Sequence, residues 1–211
     1  MRVGSAPAFA ASFVTAVIDR LSRRNPRIGF HLVTGLVEAL HRELVDRNVD
    51  LAVAARFGPL AEASMAFEFL FDGSFVVAAG VKNPWARRRK IALAEVVSER
   101  WALPSPESSL GSLYLEAFRA SGLDYPRATV VADAIDVRIS LLATGRFLTM
   151  FNPSVLRFPI QRQEIVALPI KLPIVAAPIG IFSLNNRTLS PVANLFIECA
   201  RELAKPLARG K

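Results

Sequence analysis

The apolar positions of this chain change period several times, and each change marks a structural element. From Ala10 to Leu21 the apolar residues Ala10, Phe13, Val14, Val17, Ile18 and Leu21 recur at helical spacing, while Asp19, Arg20, Arg23 and Arg24 take the other side. That stripe predicts an amphipathic helix, preceded by a short strand over Arg2 to Ser5. Asn25-Pro26 ends the helix, because the residue before a proline disfavours helical geometry. A strand over 27–33 follows, then a helix over about 36–47 with Leu36, Val37, Leu40 and Leu44 on one face. The run Val49 to Ala55 is continuously apolar, the pattern of a strand covered on both sides. This βαβαβ order predicts a parallel sheet with right-handed crossovers.

Past residue 56 the rhythm breaks. Phe67 to Phe71 and Phe75 to Val81 are strand-like runs separated by Asp72-Gly73, a turn dipeptide. A short helix near Leu93 to Val97 precedes a second α/β series: strand 101–103, helix 109–121 closed by Gly122, strand 128–132, helix 135–144 closed by Gly145, and strand 147–151. Glycine just beyond a helix accepts the left-handed conformation that ends it. Glu164 to Leu168 and Pro178 to Leu184 read as strands. Ser190-Pro191 opens the last helix, whose predicted buried stripe is Val192, Leu195, Phe196, Cys199 and Leu203. The result is two similar α/β halves, one nested within the sequence of the other.

Composition narrows the classes. At 211 residues and 52% hydrophobic content the chain is long enough for one large core or two small ones. Its longest apolar stretch, Leu172 to Phe182, is broken by Pro173, Pro178 and Gly180 and falls well short of the roughly 20 residues of a membrane span. No membrane partner is expected. The single cysteine, Cys199, excludes an internal disulfide and fits a reducing cytoplasm. A net charge of +8 suits nucleic acid or anionic ligands, but the arginines are scattered. Only Arg87, Arg88, Arg89 and Lys90 form a run, after the turn Asn83-Pro84, and it reads as a solvated loop or as a phosphate-binding patch.

Catalytic signals are weak. His31 and His41 lack the spacing of a helical metal pair, and Cys199 belongs to an apolar stripe. The sequence carries no glycine-rich phosphate loop, no Gly-x-Ser-x-Gly elbow and no acidic metal cluster. The chain reads as a non-enzyme that needs no cofactor and no metal.

The stretches "RVGSAPAFAASFVTAVIDRLSRRNP", "VTGLVEALHRELVDRNVDLAVAA", "FEFLFDGSFVVAAGVKNPWA", "ISLLATGRFLTMFNP" and "NRTLSPVANLFIECARELA", in that order and spacing, resemble the effector-binding part of LysR-type transcriptional regulators. Asn83 stands where histidine is common in the family. The resemblance covers essentially the whole chain. It implies an α/β, two-lobed fold like that of type 2 periplasmic binding proteins, with two crossover strands. Lobe I is expected over 1–79 plus 176–211 and lobe II over 80–175. It also implies a winged helix-turn-helix, not found in this chain, so that DNA contact is expected only through an N-terminal domain outside it. A cytoplasmic homodimer or homotetramer, paired through the helix 36–47 region, is implied for the full-length protein. A mature periplasmic solute-binding protein and a small enzyme on the same scaffold are the rival readings.

In open α/β sheets, ligands bind beyond the carboxyl ends of strands. Ser5, Ala6 and Pro7 occupy one such end, where Ser5 either caps the next helix or, as the resemblance implies, contacts a small effector. Thr34 and Gly35 occupy a second, with glycine permitting close backbone approach. Arg56 follows a third strand, placed to grip a carboxylate or to form a surface ion pair. Ser105 and Ser108, Ile135 and Asp136, and Phe151 and Asn152 lie at the corresponding ends in the second half. Ser108 fits a helix cap as well as a ligand contact, and Phe151 fits plain packing. The implied effector is an anionic or sugar-related metabolite bound between the lobes.

Overall fold

The computed structural model describes residues 1–58, 64–157, 164–173 and 177–208. Its first elements are β1 (Arg2–Ser5), α1 (Pro7–Phe9), a π-helical turn (Ala10–Val14), α2 (Thr15–Arg24), β2 (His31–Thr34), α3 (Val37–Val45), β3 (Leu51–Ala55) and β4 (Met65–Gly73). Next come β5 (Val76–Gly80), a 3-10 turn (Pro84–Arg87), α4 (Leu93–Val96), β6 (Trp101–Leu103), α5 (Ser109–Ala120), β7 (Ala128–Val131), α6 (Ile135–Ala143) and β8 (Leu148–Phe151). The last four are α7 (Ser154–Arg157), β9 (Ile165–Ala167), β10 (Ala177–Leu184) and α8 (Pro191–Ala208).

The chain divides into two compact units, Met1–Gly73 with Ala177–Lys211 and Ser74–Ala176. Unit 1 carries a sheet in the order β2-β1-β3-β10-β4, and unit 2 one in the order β7-β6-β8-β5-β9. In unit 1 the first three strands are parallel, while β10 runs antiparallel to both neighbours. Leu40, Leu44, Val49, Ala52, Ala54 and Phe182 pack between the sheet and α3. Around the helices, Phe9 and Phe13 meet Phe71 edge to face, and Cys199 of α8 lies buried with its thiol aimed at the Val17 carbonyl, 3.9 Å away. Burial pushes the Cys199 thiol up from its ordinary pKa, which keeps it protonated. Arg187 ties together three segments: its guanidinium meets Asp50 at 2.6 Å and the Val49 carbonyl at 3.2 Å, while Asp50 accepts the Arg2 amide. In unit 2, Trp101, Leu103, Tyr114, Phe118, Leu148 and Met150 form the core, with Trp101 and Phe118 edge to face at 5.6 Å.

Several elements depart from their expected bounds for identifiable reasons. The strand expected over 27–33 is β2, which begins later, at His31, and ends at Thr34; it pairs only as far as β1 extends, from Arg2↔His31 to Ser5↔Thr34. The second helix stops at Val45 rather than 47, because Arg47 takes a left-handed φ of 58°. The first helix is broken by its π turn, where the Thr15 hydroxyl bonds the Ala10 carbonyl. This wider turn buries Phe9 and Ser12 along with Ala10, Phe13 and Val14 of the expected stripe, while Ile18 is only half-buried.

Asp72-Gly73 is not a hairpin turn. Strand β4 continues through both residues, with Asp72 opposite Pro178 and Gly73 opposite Ala177, and β5 joins the other sheet. A Cβ on Gly73 would sit 2.1 Å from the Ala177 carbonyl oxygen, so glycine here answers close strand approach. The face of α8 also shifts: Ala193, Phe196, Ile197, Cys199, Ala200 and Ala204 are buried, whereas Leu195 is exposed.

Candidate functional site

In unit 1 the carboxyl ends of three neighbouring parallel strands lie side by side. Ser5 is in register with Thr34 on β2 and with Val53 on β3, and Arg56 follows the last residue of β3. The Ser5 side chain is buried, and its hydroxyl donates to the Ala6 carbonyl at 3.1 Å. It does not cap the helix, whose N-cap is Ala6. The amide of Ala6 donates to the Val53 carbonyl at 3.0 Å and Pro7 has none, so neither residue offers a free amide at this turn. Thr34 is exposed at the end of the edge strand, and the Gly35 amide donates to the Ser5 carbonyl at 3.2 Å. A Cβ on Gly35 would meet nothing closer than 3.6 Å, so glycine is not demanded there by crowding. Arg56 is half-buried, its backbone amide bonded to the Pro178 carbonyl and its guanidinium 4.8 Å above the Phe67 ring. It enters no ion pair with the described residues.

Unit 2 treats its predicted residues differently. The Ser105 amide donates to Asp133 Oδ1 at 3.1 Å, joining the loops after β6 and β7, and its hydroxyl donates to Glu107. Ser108 is the N-cap of α5: its hydroxyl accepts the Gly111 amide at 3.1 Å and donates to the Ser105 carbonyl at 2.7 Å. Ile135 and Phe151 are buried, and Asp136 is exposed at the start of α6. The Asn152 amide group donates to the Ser74 carbonyl and its oxygen accepts the Ser154 amide, so it ties the loop after β8 to the chain entering β5. The residues of this set therefore serve caps, loops and packing.

One charged side chain at this end of unit 2 escaped the sequence reading. Arg138 is 1% exposed, donates to the Met150 carbonyl at 3.1 Å beside the Tyr114 hydroxyl, and leaves its Nε without a partner. Its signal was its position: Ile135, Arg138 and Leu142 form the buried face of α6. A charge inside an apolar stripe is uncommon and costly unless bonded.

Residues 1–205 match the model of the LysR substrate binding domain. The chain belongs to this family. It is 22% identical over 200 residues to the transcriptional dual regulator GltC of Bacillus subtilis, covering 94% of this chain and 65% of that protein. The chain spans less than two thirds of the length of the curated relatives it matches. Its fold is similar to the Synechocystis PCC6803 CcmR regulatory domain in complex with 2-PG (TM-score 0.78, 17% identity, 97% of both chains). It is also similar to the effector binding domain of QuiR in complex with shikimate (TM-score 0.74, 18% identity, 98% of this chain and 97% of that one). The α/β architecture is thus that of the two-lobed, periplasmic-binding-protein-like LysR domains. Among the described residues, no helix is long and apolar enough to cross a membrane, and no group of three potential metal-ligating side chains occurs.

Proposed function

We propose that this LysR domain senses a small anionic effector through Ser5, Thr34 and Arg56, and that it acts without catalysis as the regulatory part of a cytoplasmic transcription factor. The observation that carries this reading is the gathering of two hydroxyls and an uncommitted guanidinium at adjacent strand ends. Hydroxyls and a planar guanidinium suit a carboxylate or phosphate, and the Phe67 ring beneath Arg56 holds that group in place. Shikimate, named with the similar QuiR domain, is itself a carboxylate. The effector shifts the protein's conformational balance only by its difference in affinity for the competing states. That shift reaches DNA through a part of the regulator outside this chain and through assembly of several copies.

Thermal-shift screening of carboxylates, phosphates and neutral sugars tests this reading. A matching anion at a hundred times its Kd stabilises the wild type by about 2.7 kcal/mol. Ser5→Ala, Thr34→Ala or Arg56→Gln should each raise that Kd by about 10- to 150-fold, since bonds to a charged partner contribute about 1.5 to 3 kcal/mol. A stabilising anion whose effect survives all three changes would overturn the site, and a response confined to neutral sugars would overturn the anion.

A further inference from the structure

Cations of unit 2 collect at the end of its sheet opposite Ser105, Ser108 and Asn152. Strand β5 ends where β8 begins, with Ala79 opposite Leu148, and the Leu148 amide donates to the Arg100 carbonyl at 2.8 Å just before β6. The loop after β5 therefore meets the starts of β6 and β8. This brings the run Arg87 to Lys90 together with Lys82, Arg100 and Arg146, all exposed.

Contacts link these residues across the surface. Buried Asn83 donates to the Gly145 carbonyl at 3.1 Å, which fastens Lys82 beside Arg146; a Cβ on Gly145 would lie 3.1 Å from that of Lys82. The Arg88 guanidinium lies 5.8 Å from the Trp85 ring, whose indole N–H donates to Glu99 at 2.9 Å, next to Arg100. Trp85 on one side of the basic run and Ile91 on the other root it in the core of unit 2. The backbone that carries the charges is thus held in place, which lowers the entropy lost on binding.

Elsewhere Arg20, Arg23, Arg187 and Arg201 pair with carboxylates, but none of these seven cations does so among the described residues. Of the carboxylates in the same stretch, Glu95 accepts the Ala92 amide and Glu99 the Trp85 indole. The surface keeps a strong positive excess.

We propose that this face binds the phosphate backbone of double-stranded DNA without reading its sequence. Guanidinium forks fit phosphate oxygens, and each phosphate neutralised releases counterions. The seven cations sit on a 3-10 turn and on loops rather than on an α-helix that could enter a groove, so the contact positions the domain without specifying bases. That DNA lies within reach rests on the regulator reading above, whereas the binding itself does not depend on any effector.

Fluorescence anisotropy of this chain with a labelled duplex of arbitrary sequence, across roughly 50 to 200 mM salt, tests the proposal. The combined Arg87→Ser, Arg88→Ser, Arg89→Ser variant should weaken binding at least tenfold at the low end. It should also flatten the dependence of log K on log salt by about 0.9 for each arginine that neutralises a phosphate. Arg100→Gln with Arg146→Gln should act in the same direction and guards against misfolding of the loop variant. Arg24→Ser, Arg27→Ser, Arg47→Asn removes equal charge from exposed positions of unit 1 and should change affinity less than about threefold, within the effect of general charge. Equal losses in the two triple variants, no binding by the wild type at low salt, or equally tight binding of polyglutamate would each overturn the proposal. Effector stabilisation in the thermal-shift assay should persist in the Arg87/Arg88/Arg89 variant, which separates failure here from failure of the sensing site.

Discussion

Tyr114 and Tyr125 are the only tyrosines of the chain, and both hold their protons more tightly than a free phenol. Burial dominates in each case; it pushes Tyr125 up to about 12, with Tyr114 adding to the rise and Arg138 opposing it. In the unfolded chain a tyrosine ionises near 10. Between that pH and the folded value the unfolded state binds fewer protons, so stability falls as pH rises through this window. Tyrosinate absorbance of the native protein should therefore begin to rise only above pH about 10, and Tyr125→Phe should flatten the alkaline loss of stability. Titration of both tyrosines at the free-phenol value would contradict the packing around Arg138. Arg138 also shows why some site chemistry was hard to read. Ser108 carried its cap as one of two readings, because a cap depends on the next three residues, which are local. Arg138 depends on Met150 and Tyr114, 12 and 24 positions away, and its place on an apolar helix face was the only local sign.

Glycine illustrates the same contrast for whole elements. Gly122 and Gly145 close α5 and α6 with φ of 71° and 76°, as the helical periodicity before each of them predicted. Strand 101–103 was likewise legible, bounded by polar residues and proline. Gly73 and Gly180 answer a different constraint, the approach of β10 to β4. A Cβ on Gly180 would sit 2.1 Å from the Glu68 carbonyl oxygen and 2.6 Å from the Phe67 ring, where the pairing register shifts. Backbone cannot yield as a side-chain tip does, so Gly180→Ala should destabilise unit 1 by about 1 to 3 kcal/mol, measured by urea denaturation. Gly35→Ala has room for its methyl and should stay within about 0.5 kcal/mol. Similar losses at the two positions would refute the crowding argument. Strand pairing of this kind couples residues more than 100 positions apart, and Asp72-Gly73 therefore looked like a turn. The α8 stripe was misplaced for a related reason. Small residues such as Ala193 and Ala200 are buried by close packing, which a ranking by hydrophobicity undervalues.

Across the whole molecule, the described residues leave large apolar side chains exposed both on helices and on edge strands. Unit 1 exposes Leu36, at 57%, and Val45 at the two ends of α3, which packs on the inner strands β1, β3 and β10, and it exposes Phe69 on its edge strand β4. Unit 2 exposes Val131, at 59%, on its edge strand β7, and Val137 on α6. Unpaired strand edges and exposed apolar positions are costly in an isolated domain and are natural surfaces for a second copy. Self-association through α3 agrees with the arrangement that the family resemblance implies. The chain should then sediment as a dimer at micromolar concentration. Leu36→Glu together with Val45→Glu should shift it to monomer, because each buried carboxylate would lack a partner at the interface. Thermal denaturation should remain cooperative in that variant, since both positions are already in water in the single chain. A wild-type chain that sediments as monomer, or a double variant that stays dimeric, would remove α3 as the association surface. Loss of the dimer with retained duplex binding would further show that the basic face acts within a single copy.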